Sequence, residues 1–192
     1  MKTMQIGVLA LQGAFREHHR ILEQCGCQSV EVRKPEHLVE IDGLIIPGGE
    51  STTIGKLLAE DGLLEPVREL GAYGLPILGT CAGMVLLADD IVDSQQPRIG
   101  LMHMTVRRNA YGRQVESFEA DLKIPVLGPD PFPGVFIRAP YIETVAPGTE
   151  TLGELGGKII FVRQGNLLAC AFHPELTADG RLHRYFLQMC GQ

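Results

Sequence analysis

The sequence predicts an α/β fold: a mostly parallel sheet flanked by helices, with added antiparallel strands in the C-terminal half. Three observations predict it. The first half alternates short apolar runs with segments of helical periodicity, the pattern of parallel strands joined by covering helices. From about Arg98 the runs shorten and are punctuated by Pro and Gly, which marks antiparallel pairing. The chain has 192 residues, 45% of them hydrophobic, enough for one substantial core and short enough for a single domain over 1–192.

Taken in order, Ile6 to Leu11 is an uninterrupted apolar run and reads as a buried strand. Phe15 to Gln24 has the spacing of an amphipathic helix, and Ser29 to Val32 follows as a second strand. Leu44 to Ile46 is a third, ending at Pro47-Gly48-Gly49. Ser51, Thr52 or Thr53 then caps a helix whose Ile54, Leu57 and Leu58 share one face. A helix over roughly Leu64 to Leu70 leads to a strand at Pro76 to Leu78 and a further helix after Cys81. Ile159 to Arg163 and Leu167 to Phe172 flank Gln164-Gly165-Asn166, a hairpin with the glycine that short turns favour. A last helix spans about Gly180 to Met189.

Composition narrows the function classes. A net charge of -6 and a pI near 5.5 argue against a general nucleic-acid binder, which needs a basic face for phosphates. The Ile6–Leu11 run is too short for a secretory signal, and no run approaches a membrane span. Five cysteines in a chain with ample apolar content read as free thiols in a reducing compartment, and the cytoplasm is expected.

The sharpest motif is Gly79-Thr80-Cys81-Ala82-Gly83 between an apolar strand and a helix, a nucleophile elbow with cysteine in the serine position. Such a reversal strains the nucleophile's backbone and needs small neighbours. It also sets the sulfur at a helix N-terminus, where unpaired N–H groups favour thiolate. A cysteine attacking an amide requires a base to generate thiolate and an acid to protonate the departing nitrogen, and one histidine can do both. Of six histidines, His173 stands out. It ends a predicted strand and precedes Pro174-Glu175, so the proline halts the ladder and the Glu175 carboxylate can turn back to the imidazole. The third motif, Pro47-Gly48-Gly49-Glu50-Ser51, follows a buried strand at the sheet edge where α/β folds bind ligands. Its backbone can approach a substrate closely, and the N–H of Gly49 can join that of Ala82 in holding an oxyanion. A phosphate-binding loop is a poorer reading, because the stretch lacks the lysine of a P-loop at the required spacing.

These elements, in this order, resemble the triad-type glutamine amidotransferases, whose sheet is flavodoxin-like. Val8-Leu9-Ala10-Leu11-Gln12-Gly13, Pro47-Gly48-Gly49-Glu50-Ser51-Thr52-Thr53, Gly79-Thr80-Cys81-Ala82-Gly83 and Phe172-His173-Pro174-Glu175 are similar, over essentially the whole chain, to the glutaminase subunits of pyridoxal 5'-phosphate synthases. The resemblance implies that Cys81 is the nucleophile, His173 the acid–base and Glu175 its orienting partner. It implies substrate contacts at Gly49, Glu50, Ser51, Arg108, Ile137 and Arg138, with Arg108 and Arg138 suited to a substrate carboxylate. It further implies L-glutamine as substrate, no metal or organic cofactor, and a synthase subunit in a large hetero-oligomer that consumes the ammonia. The competing readings are a glutaminase serving another synthase, another elbow-bearing cysteine hydrolase, and a non-catalytic regulatory subunit. Cys25 and Cys27 beside His18 and His19 lack further metal ligands at suitable spacing, and packing accounts for Cys170 and Cys190.

Overall fold

The computed structural model describes residues 3–109 and 116–192. Its centre is a parallel sheet. Strand β1 (Gln5–Leu9) pairs with β2 (Gln28–Val32) on one side and β3 (Gly43–Ile46) on the other. β4 (Ile77–Thr80) adds beside β3, and β12 (Leu167–Cys170), from near the end of the chain, adds beside β4 with Cys170 opposite Thr80. The order β2-β1-β3-β4-β12 is the flavodoxin-like arrangement, with its fifth place filled from the far end of the sequence. Helices α1 (Phe15–Gln24), α2 (Ser51–Glu60), α3 (Leu64–Ala72), α4 (Ala82–Leu87) and α5 (Arg181–Cys190) are the α-helices of the described residues.

Beyond β12 the sheet turns antiparallel. β11 (Lys158–Gln164) forms the expected hairpin with β12, turning through Gly165 at φ 57°. β10 (Glu150–Leu155) and β9 (Tyr141–Val145) pair antiparallel with β11, and β6 (Met102–Arg107) continues antiparallel beside β9. β5 (Ala88–Ile91) closes this edge parallel to β6. A separate antiparallel ribbon, β7 (Ser117–Leu122) with β8 (Phe132–Ile137), is tied to the end of β12 by a 2.8 Å bond from His173 N–H to the Val135 carbonyl.

The core explains why that ribbon sits where it does. The Phe172 ring lies 5.8 Å from those of Phe132 and Phe136 and 6.0 Å from that of Phe161, all fully buried. Tilted and edge-on pairs of this kind each add about 0.5–1.5 kcal/mol beyond area burial. They fix the backbone one residue before His173, so core packing aims the site.

Three local expectations are corrected. The first strand stops at Leu9 rather than Leu11, because the chain leaves the sheet once Ala10 N–H has bonded the Val32 carbonyl. Helix α2 is capped by Glu50 rather than Ser51, Thr52 or Thr53; its carboxylate Oε2 accepts from Thr53 N–H at 2.8 Å. A glutamate side chain is long enough to fold back over the first turn, and it stabilises the helix N-terminus by charge as well as by hydrogen bonding. The helix after Cys81 has only six residues, all buried, before the chain extends into β5.

Candidate active site

Cys81 stands between β4 and α4 with φ 49° and ψ -104°, a left-handed conformation that costs a non-glycine residue on the order of 1–3 kcal/mol. Its surroundings hold it there. Cys81 N–H bonds the Cys170 carbonyl of the neighbouring strand at 2.8 Å, and its own carbonyl accepts from Val85 N–H at 3.2 Å. The flanking glycines are steric requirements: a Cβ at Gly83 would come 2.0 Å from the Ile46 carbonyl oxygen, and one at Gly79 would come 2.5 Å from that of Gly83. The tight reversal expected from the motif is therefore present, and α4 packs directly on β3 and β4.

His173 follows β12 and precedes a single 3₁₀ turn, Pro174–Leu176. Because β12 neighbours β4, the imidazole and the thiol emerge side by side at the C-terminal edge of the sheet, in hydrogen-bonding contact. His173 Nδ1 donates to Glu175 Oε1 at 2.6 Å, which leaves Nε2 for the sulfur. Burial disfavours the imidazolium, but the hydrogen bonds and charges of Cys81 and Glu175 outweigh it and raise the His173 pKa to about 10. The two neighbours thus favour the imidazolium form. Glu175 is fully buried behind it.

Gly48 completes this corner. A Cβ there would lie 2.4 Å from His173 Cε1 and 3.3 Å from Cys81 Cβ, so the loop backbone lies against both groups only because that position has no side chain. The Gly48 carbonyl accepts from Ala14 N–H at 2.9 Å, and Gln12 Oε1 accepts from Glu50 N–H at 2.8 Å. The Gly48–Gly49 peptide is thereby tied to the Gln12–Ala14 segment.

A cavity of about 340 Å³ opens at this edge, of a size for a small amino acid. Gly49, Glu50, Ser51, Ala82, Arg108, Ile137 and Arg138, all expected at a substrate site, line it together with Cys81 and His173. The Ile137 carbonyl is 3.9 Å from the Cys81 sulfur. Arg138 sits at φ 42°, a second strained residue on the rim. Glu50 has a lowered pKa: partial burial works against the carboxylate, but hydrogen bonds from Thr52 and Thr53 more than offset it. The bonds from Thr52 Oγ1, Thr53 N–H and Thr53 Oγ1 all fall on Oε2.

Sequence reasoning missed Gln96. Its Oε1 accepts from Arg108 Nη1 at 3.0 Å and lies 3.4 Å from Ser51 Oγ, joining the arginine to the glycine-loop helix. No local pattern marks such a residue. Gln12, which lines the cavity, did carry a signal, since it belongs to the Val8–Gly13 motif. Cys25, Cys27, Cys81, Cys170 and Cys190 are all free thiols. Among the described residues no helix is long and apolar enough to cross a membrane, and no group of three His, Cys, Asp or Glu side chains is arranged to hold a metal.

The profile of the SNO glutamine amidotransferase family matches residues 8–192. A relative from Pelotomaculum thermopropionicum, pyridoxal 5'-phosphate synthase subunit PdxT, is 65% identical over 187 residues, spanning 97% of this chain and 95% of its own. The protein of that name from Moorella thermoacetica is 66% identical over 188 residues, 98% of this chain and 100% of its own. A solved glutamine amidotransferase structure superimposes with a TM-score of 0.93 at 53% identity, covering 97% of this chain and 99% of that one. A chain of PurLQS from Thermotoga maritima, at 17% identity and a TM-score of 0.68, shares the fold over 98% of this chain and 99% of its own.

Proposed function

The chain belongs to the SNO glutamine amidotransferase family, and from that premise we propose that it is the glutaminase subunit of a pyridoxal 5'-phosphate synthase. It hydrolyses L-glutamine to L-glutamate and ammonia as one domain over the whole chain. The observation that carries this reading is the meeting, in one cavity, of a strained cysteine, a histidine backed by a buried carboxylate, and a glycine loop.

In this mechanism the Cys81 thiolate attacks the side-chain amide carbon, and the N–H groups of Gly49 and Ala82 receive the oxyanion. His173 gives its proton to the departing nitrogen, the C–N bond breaks, and ammonia leaves a glutamyl thioester on Cys81. His173 then takes a proton from water as the water attacks the thioester, and collapse of that second tetrahedral species releases glutamate and the thiolate. Glu175 orients the imidazole throughout. Arg108 and Arg138 pair with the substrate α-carboxylate, the Glu50 carboxylate takes its ammonium, and Ser51 and the Ile137 backbone complete the pocket. The half-reaction needs no metal or organic cofactor. The ammonia passes to a synthase subunit in a hetero-oligomer, and free thiols suit a cytoplasmic enzyme.

The Gly48–Gly49 peptide supplies one oxyanion donor, and its orientation is set by a hydrogen bond to the rim at Ala14. A synthase docked on that rim can favour the productive orientation, so the isolated chain is slow and its partner accelerates it. One oxyanion donor is worth about 2.7–4 kcal/mol, or on the order of a hundredfold to a thousandfold in rate. Glutamate release measured for the chain alone and then with saturating synthase tests this. Equal, fast turnover in both would eliminate the switch, and no turnover in either would eliminate the glutaminase.

A further inference from the structure

Behind Glu175 lies a second, wholly buried polar group that the mechanism above does not use. His18 occupies the inward face of α1 beside Ile21 and Leu22 and has no exposed surface. Its Nδ1 is 2.9 Å from Nε2 of His183 on α5, and its Nε2 is 3.2 Å from Oγ1 of Thr80 on β4. The same Nε2 lies 3.6 Å from Glu175 Oε2, the oxygen not bonded to His173. That oxygen and His183 Nδ1 are both buried without a hydrogen-bond partner of their own.

Chemistry selects one tautomer of this pair. If His18 carried its proton on Nδ1, its Nε2 lone pair would face the carboxylate, and His183 would bury an unpaired N–H on Nδ1. With the proton on Nε2, an N–H faces Thr80 and Glu175, Nδ1 accepts from His183, and the unpartnered atom is only a bare ring nitrogen. The second arrangement avoids both penalties. Both rings stay neutral: burial lowers the His183 pKa to about 3, and burial together with His183, His173 and His19 holds that of His18 well below 6.5. Among the described titratable groups facing His18, Glu175 is the one carboxylate.

We propose that His18, locked in its Nε2–H form by His183, is a positioning residue for Glu175. It presents an N–H dipole to Oε2 and so keeps Oε1 on the Nδ1–H of His173. At 3.6 Å the contact is a charge–dipole contact rather than a hydrogen bond. It matters because Oε2 is buried without a hydrogen-bond partner of its own, and second-layer partners of this kind are what orient a reacting group. An apolar side chain would fill the same space but leave Oε2 with nothing to define its rotation.

The proposal rests on the glutaminase reading only for its kinetic assay. The test compares wild type, His18→Leu and His18→Gln, each assembled with the synthase, by glutamate release. It also follows the His173 ring by NMR titration in the full chain. His18→Leu is expected to lower kcat on the order of tenfold to a hundredfold with KM within about twofold, and His18→Gln, which keeps a donor near Oε2, to recover most of it. In a Glu175→Gln background the leucine substitution should cost nothing more, since its effect runs through that carboxylate. The His173 titration midpoint should fall in His18→Leu and stay high in His18→Gln. Wild-type kcat and an unchanged midpoint in His18→Leu would overturn the proposal, as would equal losses in both variants matched by equal losses of thermal stability. If the wild-type complex releases no glutamate, the glutaminase reading has failed, and the NMR midpoint still decides whether His18 positions Glu175.

Discussion

His173 and His18 face opposite oxygens of one carboxylate, and their surroundings shift their proton affinities in opposite directions. Both are buried, His173 at 6% exposure and His18 at 0%, so desolvation opposes a proton on each. His173 meets Cys81 and Glu175, which hold its proton up to about 10. His18 meets Glu175 only at 3.6 Å, and on its other side a neutral imidazole. Burial does not by itself decide the charge of a histidine; the sign and reach of its partners do. The cavity side of Glu175 is arranged to move a proton, and the core side to stay still.

The largest blow to the cavity side is Cys81→Ala. It should abolish glutamate release even with synthase present, because no other group there can form the thioester. Turnover in a clean preparation would reassign the nucleophile.

Next is Glu175→Gln, which removes the charge both histidines share. We expect kcat to fall by about a hundredfold to ten-thousandfold, since the carboxylate orients and stabilises the imidazolium without reacting. Wild-type kcat at saturating glutamine would dissolve the contrast between its two oxygens.

Gly48→Ala touches the cavity side alone. The new methyl would displace the imidazole, and a shift of about 1 Å at a reacting group costs on the order of a hundredfold in kcat. Thermal unfolding should change far less than kcat, and a variant with normal activity would show that the loop yields instead.

The smallest effects, in pH dependence, separate the two sides by sign. His173 has a folded pKa raised to about 10, so its stabilising contribution is complete below about pH 6.5 and is lost as pH rises through 10. His183, lowered to about 3, behaves oppositely: its neutral form supports the fold above about pH 6.5, and that support is lost as pH falls toward 3. Denaturant unfolding across pH should show His183→Gln losing less stability than wild type between pH 6.5 and 4, with the alkaline limb unchanged. Identical acid limbs would mean that His183 is protonated in the native state.

The cavity side was legible in the sequence because each part of it carries a local backbone demand. Cys81 needs glycines two residues away on either side, His173 is followed by a proline that ends its strand, and the loop before α2 needs Gly48 bare. The core side was not legible. Periodicity puts His18 on the same helix face as Ile21 and Leu22, but nothing local says that α5 and β4 supply His183 and Thr80 to meet it. Gln96 is hidden for the same reason, as its partners lie 45 and 12 residues away. The fold divides likewise. The parallel half followed from its alternation, whereas the uniformly apolar stretch of α4 gave no period from which to see it end after six residues and become β5.

The place of β12 in the sheet has a consequence for the life of the protein. β12 lies between β4 and β11, yet it is the last strand to leave the ribosome. A nascent chain can assemble the β2-β1-β3-β4 layer and expose Cys81 at its edge while His173 and Glu175 have not yet been made. Until β12 inserts, the thiol has neither acid nor base, and the half-built molecule releases no ammonia. Turnover therefore reports completion of the whole sheet.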